Sequence, residues 1–122
     1  MAARVLIVDD EPNARRALAI GLRVEGFEVD EASDGHVALE RLALRTADVC
    51  FVDLMMPNMN GLELARQLRC HHPDVRIVLT SAYHLSERQL ERAGLGPVAF
   101  VPKPFALDEL ATFLRRKVDA AA

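Results

Sequence analysis

Five polar residues with reactive side chains lie at the ends of short apolar segments of this sequence: Asp9, Asp10, Asp53, Thr80 and Lys103. The apolar segments are too short for ordinary helices and rich in strand-forming residues, so they indicate buried strands. In an open sheet of parallel strands, ligands bind outside the carboxyl ends of the strands. The sequence therefore predicts that carboxylates, a hydroxyl and an ammonium group meet at one edge of a sheet.

Together, these residue types suit the transfer of a phosphoryl group to an aspartate. Crowded carboxylates repel one another unless a cation or protons offset their charge, and a set of oxygen ligands suits Mg²⁺. Mg²⁺ and Lys103 would neutralise charge on the phosphoryl oxygens, and Thr80 would donate a hydrogen bond to one of them. Asp53 would then attack the phosphorus in line.

Each of these residues also has an ordinary structural role. Asp53 could form a turn or cap a helix, and Asp9 and Asp10 could cap the helix that follows them. Thr80 could be a satisfied hydroxyl at a strand end, and Lys103 a solvated surface lysine. Their joint occurrence favours a site, because four of the five predicted strands end in a group that the same reaction needs.

Five strands alternate with five helices along the predicted chain. The strands are expected at residues 4–8, 27–31, 49–53, 75–80 and 98–101, and the helices at about 12–25, 35–45, 61–71, 86–93 and 107–118. Alternation of this type implies a parallel sheet with helices on both faces. Apolar runs indicate that strands one, three, four and five are buried, whereas the alternating acids of the second indicate an edge. An α/β fold with a doubly wound five-stranded sheet, in the order 2-1-3-4-5, satisfies this pattern and brings Asp9, Asp10 and Asp53 to the same rim.

The composition indicates one globular domain over the 122 residues, with 51% hydrophobic and 27% charged residues. A net charge of -3 argues against direct binding of nucleic acid. The sequence has neither an apolar run near the ~20 residues of a membrane span nor a signal-peptide pattern, so a cytoplasmic protein without membrane contact is expected. Cys50 and Cys70 are expected to be free thiols. A stand-alone protein and the front of a longer chain, whose linker begins within 119–122, both fit these features.

Four segments of the sequence resemble the receiver domain of two-component response regulators: VLIVDDE, VDLMMPNMNG, VLTSA and FVPKPF. The resemblance covers nearly the whole chain and implies a flavodoxin-like fold. It implies that Asp53 accepts a phosphoryl group from a phosphorylated histidine of a histidine kinase or phosphotransfer protein. It also implies that Asp10, Asp53 and the backbone carbonyl of Met55 ligate Mg²⁺ directly, whereas Asp9 acts through water.

The same resemblance implies how the signal leaves the site. Thr80 would be the switching hydroxyl, Lys103 the phosphate contact, and Phe100 the aromatic side chain whose rotamer reports the state. The Lys103–Pro104 peptide bond would be cis. The surface of the fourth helix, fifth strand and fifth helix is expected to bind an output protein or effector domain, or a second copy of the phosphorylated chain. This surface is expected to include Arg88, Arg92, Phe100 and Arg115.

Two other functions remain open at this point. A Mg²⁺-dependent phosphatase with an aspartyl nucleophile usually needs another acid two residues after the nucleophile, where this sequence has Met55, and a substrate cap for which the chain has no room. A pseudo-receiver would bind partners without accepting phosphate, but it would not need the complete set of acids, hydroxyl and lysine. A phosphoacceptor without turnover of an independent substrate is therefore the favoured interpretation.

Overall fold

Five parallel strands and five helices alternate along the chain, as the sequence predicts. The computed structural model describes residues 2–56, 59–83 and 85–120. The strands are β1 (Arg4–Val8), β2 (Glu28–Ala32), β3 (Val49–Asp53), β4 (Arg76–Ser81) and β5 (Ala99–Pro102). The helices are α1 (Pro12–Val24), α2 (Gly35–Leu44), α3 (Gly61–His71), α4 (Glu87–Arg92) and α5 (Leu107–Ala120). The sheet order is β2-β1-β3-β4-β5, which confirms the predicted doubly wound sheet.

Glu11, rather than either aspartate before it, caps the first helix. Its carboxylate accepts hydrogen bonds from the amides of Asn13 at 3.1 Å and Ala14 at 2.5 Å. Such a cap satisfies backbone donors that the first turn of a helix leaves unpaired. Because Glu11 fills this role, helix capping does not explain Asp9 and Asp10.

Three strands lie one residue further along the chain than predicted. β2, β4 and β5 begin after the apolar residues Phe27, Val75 and Val98, which are buried or half-buried although they precede the paired segments. The hydrophobic pattern reports burial, whereas strand bounds depend on backbone pairing, so the two differ at the ends. The predicted capping box between Ser86 and Gln89 is present, and it places Ser86 just outside α4.

β5 differs from the other apolar strands because it lies at the second edge of the sheet. Its residues Ala99, Phe100 and Val101 are half-buried and Pro102 is exposed. The prediction that this strand is buried was therefore wrong in degree, whereas its place at an edge of the sheet follows from the predicted strand order. An apolar run indicates burial on both faces, but the last position in the order leaves one edge without a neighbour. Pro102, which has no backbone donor, is compatible with this edge.

Two hydrophobic cores hold the sheet from opposite faces. Leu6 and Val8 of β1 pack in the core that includes residues of α2 and α3, whereas Val5 and Ile7 pack in the core that includes residues of α1 and α5. This alternation follows from the two-residue period of a strand. The central strands are thereby fixed from both sides, so their carboxyl ends form a rigid rim. Each helix in the described ranges is too short or too polar to span a lipid bilayer.

Leu68 and Leu44 provide a matched test of this core. Leu68 of α3 is fully buried, whereas Leu44 at the end of α2 is 83% exposed. We expect Leu68→Ala to lower the free energy of unfolding by about 2–5 kcal/mol, because the substitution removes buried contacts and leaves a cavity. Leu44→Ala should change it by less than ~0.5 kcal/mol. Urea denaturation measures both values, and equal losses would contradict the assigned packing.

The two cysteines are free thiols, as predicted, and they differ in burial. Cys50 lies in β3 and is fully buried, and this burial raises the pKa of its thiol to about 12. Cys70 is exposed. We expect a thiol reagent to modify Cys70 in the native protein, and Cys50 only after unfolding, because the thiolate is the reactive form. Mass spectrometry of each peptide gives the result; rapid native modification of Cys50 would argue against its position in the core.

Candidate functional site

The carboxylates predicted to meet at the rim do so. Asp9 and Asp10 follow β1, and Asp53 ends β3, which pairs directly with β1. One carboxylate oxygen from each of the three residues lies within 4.8 Å of the other two. Asp9 and Asp53 are buried, and Asp10 is exposed. The cluster therefore combines two acids fixed in the protein with one open to solvent.

Lys103 offsets part of the negative charge. Its Nζ donates a hydrogen bond to Oδ2 of Asp53 at 2.8 Å and lies 3.9 Å from Oδ2 of Asp9. Burial by itself lowers the pKa of Lys103, but the hydrogen bond and charge of Asp53, together with the charges of Asp9 and Asp10, raise it above its usual value. The lysine is therefore held in its charged form, facing the cluster, as the sequence predicts.

Asp9 lies where burial disfavours the charged form of its carboxyl. Burial raises the pKa of its carboxyl above the usual range, and the charges of Asp53 and Asp10 act in the same direction. The backbone amide of Glu11, which donates to Oδ1 at 3.0 Å, and the charge of Lys103 lower the pKa but do not cancel the effect of burial. The three carboxylates thus carry more negative charge than Lys103 neutralises, and a bound cation would balance the remainder.

Backbone contacts hold Asp53 in place. Its Oδ1 accepts a hydrogen bond from the amide of Met55 at 2.9 Å, so the carboxylate also organises the turn after β3. Gly61 lies against this turn: a Cβ there would come within 2.7 Å of the Asp53 carbonyl oxygen and of the Leu54 Cα. The sequence indicated only a turn at Gly61. Its close approach to the strand that carries Asp53 depends on tertiary packing.

Thr80 has a buried hydroxyl with no hydrogen-bond partner in the described part of the chain. It lies beside Asp53 in the register of β3 and β4. A buried hydroxyl that stays without any partner costs roughly 1–3 kcal/mol. No protein group in the described residues satisfies the Thr80 hydroxyl, and it borders the cavity at the rim, so it stays available to a bound ligand.

The three acids fit a hard divalent cation. The cluster offers only oxygen donors, which Mg²⁺ prefers, and it includes an exposed carboxylate through which an ion can enter with its waters. A cavity of about 260 Å³ adjoins the cluster and is lined by Asp9, Asp53, Thr80 and Lys103 together with apolar side chains of α1 and the segment that leads into α5. The arrangement can hold a cation and a small anion side by side.

The sequence model of the response regulator receiver domain matches residues 5–115. The chain belongs to this family. Response regulator MprA of Mycobacterium ulcerans is 43% identical over 118 residues, which cover 94% of this chain and 50% of MprA. Regulatory protein AtoC of Escherichia coli is 38% identical over 113 residues, which cover 93% of this chain and 24% of AtoC. This receiver domain therefore spans about half of the first protein and about a quarter of the second.

Solved receiver structures share its fold. The response regulator protein TrrA of Thermotoga maritima, in complex with Mg²⁺-BeF, is 35% identical, with a TM-score of 0.82 over 94% of this chain and 98% of TrrA. The chemotaxis protein CheY4 of Vibrio cholerae is 30% identical, with a TM-score of 0.87 over 95% of this chain and 98% of CheY4. The flavodoxin-like arrangement expected for the receiver domain is confirmed.

The residues expected to transmit the signal lie in different surroundings. Phe100 is half-buried on β5 and packs against the core on the side of α3. The Lys103–Pro104 bond is cis, as expected for a receiver domain.

Arg115 does not face α4. Its guanidinium donates to Glu25 at the end of α1 and lies 5.2 Å from the centre of the Phe27 ring. Its assignment to the output surface was therefore wrong, because helical position alone does not show which neighbour a long side chain reaches.

Thr80→Val should stabilise the protein. The substitution keeps the shape of the side chain but removes the buried hydroxyl that lacks a partner, so we expect the free energy of unfolding to rise by about 1 kcal/mol. Thr112→Val is the matched control, because the Thr112 hydroxyl is exposed and donates to the Asp108 carbonyl at 3.0 Å. It should give no gain. A loss of stability in Thr80→Val, measured by urea denaturation, would mean that the Thr80 hydroxyl has a partner.

Gly61→Ala should disturb the strand end that carries Asp53. The added methyl would meet backbone atoms, which cannot move aside cheaply, so we expect a loss of about 1–3 kcal/mol in the free energy of unfolding. Gly35→Ala is the control, because Gly35 also begins a helix but the three atoms nearest to a Cβ there belong to the side chain of Met59, which can shift more readily than backbone. If thermal denaturation shows the smaller loss for Gly61→Ala, the tight packing at this turn is not real.

Proposed function

We propose that this receiver domain is a phosphoacceptor switch of a two-component system and that Asp53 accepts the phosphoryl group. The observation that carries the proposal is the hydrogen bond from Lys103 to Asp53 inside a cluster of three carboxylates. Together these residues would supply a nucleophile in Asp53, a fixed positive charge in Lys103 and a set of metal ligands in the three carboxylates. The donor is a phosphorylated histidine of a histidine kinase or phosphotransfer protein.

The same residues would hold Mg²⁺. Asp10, Asp53 and the backbone carbonyl of Met55 would ligate the ion directly, and Asp9 would act through water. When bound, Mg²⁺ neutralises negative charge on the phosphoryl oxygens. The relative TrrA has been solved in complex with Mg²⁺-BeF, which supports a site of this kind in the present chain.

The protein's own groups account for the transfer. A carboxylate oxygen of Asp53 forms a bond to phosphorus while the bond from phosphorus to the histidine nitrogen breaks, and the electron pair of that bond leaves with the imidazole. Lys103 remains protonated, because its pKa is raised, and it exchanges its hydrogen bond from the Asp53 carboxylate to a phosphoryl oxygen. Thr80, whose hydroxyl has no partner before the transfer, donates to another phosphoryl oxygen.

The movement of Thr80 would carry the signal outward. It lies on β4 beside β5, and its shift toward the phosphoryl group would open space into which Phe100 turns. The surface that includes Arg88, Arg92 and Phe100 would then change shape and bind an output protein, an effector domain or a second copy of the chain. Phe100 lacks the hydroxyl of the tyrosine that is commoner in the family, so a partner would sense its shape.

An independent enzyme is the less supported alternative. The position two residues after Asp53 is Met55, whose exposed side chain offers neither an acid nor a base. A pseudo-receiver that only binds partners remains as the second candidate, and it would leave the buried Thr80 hydroxyl and the Lys103–Asp53 contact without a use.

Incubation with acetyl phosphate and Mg²⁺ tests the proposal. We expect the intact mass to increase by one phosphoryl group. This increase should depend on Mg²⁺ and should be absent in Asp53→Asn, because the amide is not a nucleophile. Asp74→Asn, at an exposed position, is the control and should be phosphorylated normally. An unmodified parent protein would indicate the pseudo-receiver, and modification of Asp53→Asn would place the acceptor elsewhere.

A further inference from the structure

Arginines from two helices line a polar groove outside the edge strand β2. The groove has a volume of about 420 Å³ and lies between α1, β2 and α2. Its guanidinium groups belong to Arg15, Arg16, Arg23 and Arg41, hereafter the arginine groove. Guanidinium groups are planar, always charged and suited to carboxylate and phosphate oxygens. The groove is thus a surface built from the residue type that recognises anions.

The arginine groove has an excess of positive charge. Asp30 and Glu31 are the acids of its lining, so four guanidinium groups face two carboxylates. Asp30 is also 3.5 Å from the guanidinium of Arg4 on β1, which neutralises it further. This local excess occurs on a chain with a net charge of -3. The net charge indicates an acidic surface on average, whereas the fold gathers positive charge in this groove.

Glu31 shows how the groove binds a carboxylate. Its two oxygens lie 3.3 Å from Nε of Arg15 and 3.5 Å from Nε of Arg16. Each guanidinium has five N–H donors; Arg15 uses Nε for Glu31 and Nη1 for the Asp9 carbonyl at 2.7 Å, whereas Arg16 contacts Glu31 as an ion pair, which leaves further donors on both arginines. The Arg16 side chain is 65% exposed. The groove can therefore accept further carboxylates from another molecule beside Glu31.

The edge of β2 is closed to an added strand. Nη2 of Arg23 donates to the carbonyl of Val29 at 3.0 Å, and Nε of Arg41 donates to the carbonyl of Glu31 at 3.3 Å. An extended peptide that binds a sheet edge needs such carbonyls for its own backbone amides. Because both already have partners, an incoming segment would make its contacts through side chains.

We propose that the arginine groove binds an acidic segment of a partner protein through carboxylate side chains spaced one helical turn apart. Residues three or four positions apart on a helix face the same side, so their carboxylates can reach neighbouring guanidinium groups together. A few carboxylates spaced one helical turn apart fit better than nucleic acid, because a continuous row of phosphates would bring more negative charge beside Asp30 and Glu31 in the lining. This binding goes beyond the proposed phosphoacceptor function and does not require it.

The test uses a helical peptide that carries pairs of glutamates one turn apart, and its counterpart in which glutamine replaces each glutamate. Titration into the unphosphorylated protein should shift the side-chain NMR signals of the groove arginines, whereas the glutamine peptide should leave them unchanged. The double variant Arg16→Gln/Arg41→Gln should weaken the peptide affinity roughly tenfold, because charge-assisted hydrogen bonds are lost. It changes no residue of the acidic cluster.

A matched double variant separates this site from general electrostatics. Arg45→Gln/Arg66→Gln removes the same charge from exposed arginines at the end of α2 and on α3, outside both the groove and the output surface, so it should alter the peptide affinity by less than about twofold once salt screens distant charges. Equal weakening by both double variants would overturn the proposal. So would unshifted groove signals, or tighter binding of a DNA oligonucleotide than of the peptide at the same arginines.

The phosphoacceptor and the groove can be tested apart. Asp53→Asn should bind the glutamate peptide as the parent protein does, so a protein that fails to accept phosphate still gives a valid result for the groove. Circular dichroism of each variant confirms that it is folded. Loss of peptide binding in a folded Asp53→Asn protein would contradict a groove that works independently.

Discussion

The fold has to balance the negative charge that it gathers around Asp53. Three carboxylates brought together at a strand rim repel one another, and burial makes the charged form of Asp9 still less favourable. Lys103 supplies one compensating charge through its contact with Asp53. This cluster would lower stability in a protein selected for stability alone. A cation and a phosphoryl group that complete the site would explain why the three carboxylates are held together.

The scaffold makes this crowding tolerable. β1 and β3 are packed from both faces, so their ends hold Asp9 and Asp53 in positions from which relaxation would disturb two cores. Glu11 caps α1, which leaves both aspartates before it for the site. The unpartnered hydroxyl of Thr80 follows the same principle, because a donor kept without a partner is ready for a ligand. The well-packed strands and helices below the rim thus offset the unfavourable energy of the groups at the rim.

The sequence predicted the parts of the structure that depend on local periodicity and on topology. Apolar runs ending in Asp9, Asp53 and Thr80 identified the strands and the rim, and the acids of β2 identified one edge. The place of β5 at the other edge followed from the predicted strand order. Its half-burial did not follow from its apolar run, because such a run does not show whether a further strand covers it. The contact of Arg115 with Glu25 could not be predicted either, because it joins residues that lie far apart in the chain and no local pattern encodes it.

A metal site at this rim is tested most directly by locating a divalent ion in crystals of the protein soaked with Mn²⁺, which replaces Mg²⁺ and can be identified by anomalous diffraction. We expect one strong peak among the carboxylates of Asp10 and Asp53 and the carbonyl of Met55, with Lys103 still beside Asp53. The absence of a peak among these residues at saturating Mn²⁺ would show that the three carboxylates do not form a metal site.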